Sequence, residues 1–173
     1  MNVQLIVIFI SSAQFVAATD ITMSGLKLDP SSDPEFLDMG TLRVTKKSRN
    51  LLVVSGTWEC FQTMGDEVQF VLSLFSKNRL TGEYSKITEQ QSTACKYINS
   101  DTLLVPKIRE ASNIPERGTC PIPKGKFTIN NFEAEVPATL PLLPGDYLLT
   151  FNAFRDESRE LLIGLSSEFS VQK

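Results

Sequence analysis

The sequence predicts an all-β domain, a two-sheet antiparallel sandwich with a short helical insert. Three observations lead there. Apolar and polar side chains alternate with a period of two in run after run, as half-buried strands require. Clusters of Pro, Gly, Asn and Asp separate those runs at hairpin spacing, which favours a sandwich over a closed barrel or an α/β sheet. Residues 119–151, TCPIPKGKFTINNFEAEVPATLPLLPGDYLLTF, set two strand-like runs around a proline-rich corner, opened by Cys120-Pro121.

The elements follow in order. Leu26 and Leu28 around Lys27 suggest a first short strand, ended by the turn cluster 30–34. Residues 41–45 alternate, 46–50 form a tight connection, and 51–58 return. The run Leu51-Leu52-Val53-Val54 is apolar on both faces, so its inward side is not assigned. Val68, Phe70, Leu72 and Leu74 share one face of the next strand, with Gln69, Val71, Ser73 and Phe75 on the other. Residues 77–82 read as a loop. Residues 85–112 are polar, with apolar residues nearer to helical spacing, so one or two short helices are expected, capped by Ser92 or Asp101. Residues 126–132 return to strand, with Phe127 and Ile129 on one face. Pro137 and Pro141 exclude a central strand between them. Leu143-Pro144-Gly145-Asp146 fits a type II turn. Tyr147, Leu149, Phe151 and Ala153 then alternate, and after a turn at 156–158 so do Leu161, Ile163, Leu165, Phe169 and Val171. Gly164 marks a bulge or a close contact.

Composition narrows the function. Of the 173 residues, 1–18 read as a signal peptide: Leu5–Ile10 is continuously apolar and Val16-Ala17-Ala18 is a small-residue cleavage site. The stretch is too short for a membrane span. Residues 19–173 then form one extracellular domain, large enough for a single core without metals. Net charge is −3, which does not suit a phosphate backbone. The basic run Lys46-Lys47-Ser48-Arg49 reads as a solvated turn. The chain has no histidine, which removes Ser-His-Asp and Cys-His systems and histidine metal ligands. No cofactor is expected. The acid pairs Glu133/Glu135 and Asp156/Glu157 read as solvated charges, too few in oxygens for calcium.

Of three cysteines, Cys95 and Cys120 flank the irregular segment, and bridging them is worth roughly 3–4 kcal/mol on the chain-entropy account. The pairings Cys60–Cys120 and Cys60–Cys95 stay open from sequence alone. Under the first pairing Cys60 is a buried free thiol or a link to another chain.

The set Ala94-Cys95-Lys96-Tyr97, then Cys120-Pro121 with Gly125 and Phe127, then Leu140-Pro141 and Pro144-Gly145 with Tyr147, resembles an insect family of small secreted proteins related to the ML-type lipid-recognition superfamily. That family includes the CheB chemosensory proteins and is distantly similar to the ganglioside activator protein. The resemblance covers about residues 68–171. It implies an immunoglobulin-like sandwich whose sheets are splayed around an apolar molecule, no catalysis, and a place in chemosensory or pheromone signalling.

The expected ligand-binding residues are the inward set: Trp58, Phe70, Leu72, Leu74, Phe127, Ile129, Tyr147, Leu149, Phe151, Leu161, Ile163 and Leu165. Residues 136–146 and 77–82 are the expected rim. The expected partner is a lipid or other hydrophobic small molecule. The alternative is a secreted interaction module with a filled core, binding a receptor or partner protein.

Overall fold

The computed structural model describes residues 20–48, 51–100, 105–135, 142–156 and 158–172. The expected signal peptide lies outside them. The strands are β1 (Asp20–Met23), β2 (Lys27–Leu28), β3 (Leu37–Asp38), β4 (Arg43–Ser48), β5 (Leu51–Cys60), β6 (Val68–Lys77) and β7 (Tyr84–Thr93). Helices α1 (Ala94–Ser100) and α2 (Val105–Glu110) follow, then β8 (Gly125–Glu135), β9 (Gly145–Arg155) and β10 (Leu161–Gln172).

They form the two antiparallel sheets of a sandwich. The first runs β1-β10-β9-β6-β7, with β2 also on β10. In the second, β5 is central: β8 follows one edge along its length, and β4 and β3 share the other. Lys46 of β4 pairs with Asp20 of β1 at 2.7 Å. This fixes the stacking, with β4 over the β1 side and β8 over the β6 side.

The inward face of the first sheet follows from register. Its rows across β10, β9, β6 and β7 are Ile163–Ala153–Phe70–Ser92, Leu165–Phe151–Leu72–Gln90, Ser167–Leu149–Leu74–Thr88 and Phe169–Tyr147–Ser76–Ser85. On β5 the inward side is Leu52, Val54, Trp58 and Cys60, the assignment that an all-apolar run hides. Leu52 and Cys60 are buried. Gly56, at a bulge in that strand, has φ +129°, and a Cβ there would lie 2.3 Å from the Thr41 carbonyl oxygen. The chain before β4 therefore crosses directly over β5.

Three expectations are corrected. Residues 84–93 are a strand rather than a helix. β7 is the sheet's edge and residues 84–91 are exposed on both faces. No apolar period marks a strand that buries neither side. The helix begins at Ala94 and is capped by Thr93, whose hydroxyl accepts from the Lys96 amide at 3.3 Å, rather than by Ser92; Asp101 lies outside the described residues. Finally, Gly145 lacks the positive φ of a type II turn and instead opens β9. Gly164 does mark a close contact: a Cβ there would meet Asp29 at 2.7 Å.

Candidate functional site

Between the layers, at the Phe70 end, lies a hollow of about 280 Å³. Trp58 of β5, Phe70 of β6, and Phe127 and Ile129 of β8 form its walls, with Leu42, Val54, Met64 and Ile122. Tyr97 and Ile98 of α1, Val105 and Ile108 of α2, and Ile114-Pro115 form its mouth. Among the described residues no charged side chain lines it. A second chamber of about 190 Å³ shares Leu42, Trp58, Met64 and Phe70 with the first and extends to Phe151, Ile163 and Leu165. Stacked Trp58 and Phe127 rings (5.6 Å) and the Phe70–Phe151 contact (5.0 Å) stiffen the walls.

Short helices make the roof because covalent and polar ties hold them. Six or seven residues cannot sustain a helix alone in water. Cys95 and Cys120 are bridged, fixing α1 to the segment before β8. The Arg109 guanidinium donates to the Ile98 carbonyl at 2.8 Å and to the Pro115 carbonyl at 2.9 Å, so one side chain ties both sides of the mouth. Asn99 accepts from the Gly118 amide at 2.8 Å. Residues 111–113 run along the outer edge of β8, with the Asn130 amide donating to the Ala111 carbonyl at 2.8 Å. Pro106 sits in the first turn of α2, where a missing amide hydrogen costs little.

The inward set is divided. Trp58, Phe70, Phe127, Ile129, Phe151, Ile163 and Leu165 line the two chambers. Leu72, Leu74 and Leu149 face the same interior one or two rows on, only half-buried. Tyr147 belongs to a separate cluster with Ile21 and Val171, stacked on Phe169 at 5.3 Å, its hydroxyl donating to the Leu143 carbonyl at 2.6 Å. Leu161 is turned away. A register shift between Leu161 and Ile163 sends Leu162 and Ile163 inward together and pairs Leu161 with outward-facing Phe154.

The expected rim is also corrected. Residues 77–82 follow the far end of β6, about seven residues or roughly 23 Å from Phe70 at strand rise. Residues 136–141 lie outside the described residues. The mouth belongs to the helices. Ile98 and Ile108 were visible in the sequence as scattered apolar positions, but nothing in so short a segment shows what they bury against. Leu42 stood in the alternating run 41–45, whereas Leu37, Met39 and Met64 lie in or beside segments too short to show a period.

Cys60, the unbridged thiol, lines the smaller chamber and is buried. Burial pushes its pKa up to about 11, against a hydrogen bond with Trp58 that lowers it. A thiol 2 % exposed does not reach another chain, so the inter-chain link is not made in this fold. Glu133 is paired with Lys47; the Glu135 side chain and Glu157 lie outside the described residues.

A polar hollow of about 350 Å³ lies on the outer face of the first sheet. There Lys86 and Ser73 hold the Glu89 carboxyl below its usual range, the lysine contributing most.

The fold and site together define a two-sheet sandwich with an apolar chamber between its layers, roofed by disulfide-held helices. Over residues 70–149 the chain is similar to a family described as "Protein of unknown function (DUF1091)". That span begins at a chamber wall, Phe70, and takes in both helices and the disulfide. No curated protein matches the chain.

Proposed function

We propose that the protein is a secreted, non-enzymatic binder of a lipid or other hydrophobic small molecule held between its sheets. One observation carries this reading. Trp58, Phe70, Leu72, Leu74, Leu149, Phe151 and Leu165 face the interior yet are only half-buried, around hollows whose walls are apolar. A filled sandwich brings its sheets to about 10 Å and interdigitates such side chains at crystal-like density. The larger chamber alone falls just short of the roughly 300 Å³ at which ligand pockets begin, and the smaller extends it. The disulfide suits an oxidising compartment, and no described helix is long and apolar enough to cross a membrane. The relation to ML-type lipid-recognition proteins and the chemosensory role rest on the sequence resemblance.

The test is native mass spectrometry of the purified protein, followed by titration with a polarity-sensitive fluorescent fatty probe. Retained apolar mass or saturable binding is expected, and Ile129→Trp, which fills the hollow, should weaken it about tenfold with the fold intact by circular dichroism. A protein that retains nothing and binds no probe leaves only a surface-acting domain.

A further inference from the structure

The inward face of the first sheet runs on past the residues that line the two chambers. On the inward face of the first sheet, two successive rows are apolar through β9 and β6 and turn polar on β7: Phe151–Leu72–Gln90 and Leu149–Leu74–Thr88. Thr88 and Gln90 are exposed, although they stand on the side of the sheet that faces its partner layer. The second sheet stops short of them. Its last strand on this side is β8, with residues 111–113 along part of that strand's edge, and β7 meets chiefly β6 and α1. Half-buried Leu72 therefore adjoins the chamber wall at Phe151 on one side and, on the other, a ledge of hydroxyl and amide groups on β7, while Leu74, one row on, also packs against the Tyr147 cluster.

The chemistry of that ledge is selective. Its inward residues, Ser85, Thr88, Gln90 and Ser92, carry no charge. The charged residues of β7, Lys86 and Glu89, stand in the outward row beside Phe75 and Ser73 and pair with each other at 2.5 Å. Among the described residues the chamber walls add no charge. A carboxylate or ammonium seated on this exposed ledge would meet no counter-ion. An uncharged polar group would meet two donors and an acceptor on Gln90 and one donor with two acceptor sites on Thr88. Neither side chain has a hydrogen-bond partner among the described residues.

We propose that the bound molecule is a single-chain amphiphile with an uncharged, hydrogen-bonding head, its tail in the hollow and its head on the β7 ledge against Thr88 and Gln90. This rests on the binding role proposed above and specifies its ligand.

The experiment is competition for the fluorescent fatty probe on the purified full chain. Four competitors share a fourteen-carbon chain: the monoacylglycerol, the free fatty acid, the alkyl trimethylammonium and the plain alkane, each below its aggregation threshold. The monoacylglycerol should displace the probe at about tenfold lower concentration than the other three. The double substitution Thr88→Val with Gln90→Leu should erase that advantage while leaving alkane displacement within about twofold. Both positions are exposed, and unchanged melting would confirm the fold. Equal displacement by all four, preference for a charged head, or an advantage that survives the double substitution would overturn the ledge while leaving the chamber reading intact. Failure of the probe itself to bind would overturn both.

Discussion

The two ends of the sandwich use the same strands to opposite effect. At one end Tyr147 and Phe169 stack with their rings 17° apart beside Ile21 and Val171, and neither interlayer chamber reaches them. At the other, Phe151 and Leu165, on the same faces of β9 and β10, border a void. The difference lies in what covers them. The Tyr147 end has β1 added as a strand along β10, which carries Ile21 onto Val171. The hollow end is covered by two short helices that bridge the gap without filling it. Alternation places side chains toward an interior; only the covering element decides whether that interior is full.

The contrast can be broken first at the disulfide. Its loss through Cys95→Ser with Cys120→Ser should cost about 3–4 kcal/mol, the chain-entropy value for a loop of this size. Melting curves of variant and wild type would show it, and probe binding should fall with the roof. The Tyr147–Phe169 end should remain protected longest in hydrogen exchange on partial denaturation. Protection lost at both ends together would mean the ends are not separable.

A smaller effect separates a filled site from an unfilled one on a single strand. Leu162 is 0 % exposed within the main cluster, whereas Leu165 is half-buried at a chamber wall. Leu162→Ala should cost about 2–5 kcal/mol in denaturant titration, and Leu165→Ala less than about 2, because truncation at the wall extends a space already present. Equal losses would indicate that the chamber wall is packed as tightly as the core.

The smallest effect is alkaline. The Cys60 thiol is held above its ordinary value, to about 11, by burial. The folded state thus keeps a proton that the unfolded chain releases first. Cys60 adds stability fully below the unfolded thiol's pKa, and that stability is lost as pH rises through about 11. Between those values, melting of wild type should fall more steeply with pH than melting of Cys60→Ala. Matching slopes would show the thiol to be accessible to water.

Much of the frame was legible in the sequence. On β6 and β9, where one face turns to the core and the run is not apolar throughout, the period of two located both strand and face. It failed where that condition fails. β7 buries neither face, so its polar run resembled a helical segment. On β10 a register shift put neighbouring Leu162 and Ile163 inside together and reversed Leu161. Of the chamber, the strand-borne wall was visible as inward aromatics. The roof was not, because Ile98, Val105 and Ile114 reach it from short segments ordered by Arg109 and a disulfide rather than by local pattern.

The bore of the chamber is set partly by an omission. Because residue 56 has no side chain, the segment leading into β4 settles against β5 and Leu42 comes down onto both hollows. Even a methyl group there would act as a shim, lifting Leu42 and opening the gauge of the space beneath. A single position outside the lining thereby becomes the natural dial for the size of that space.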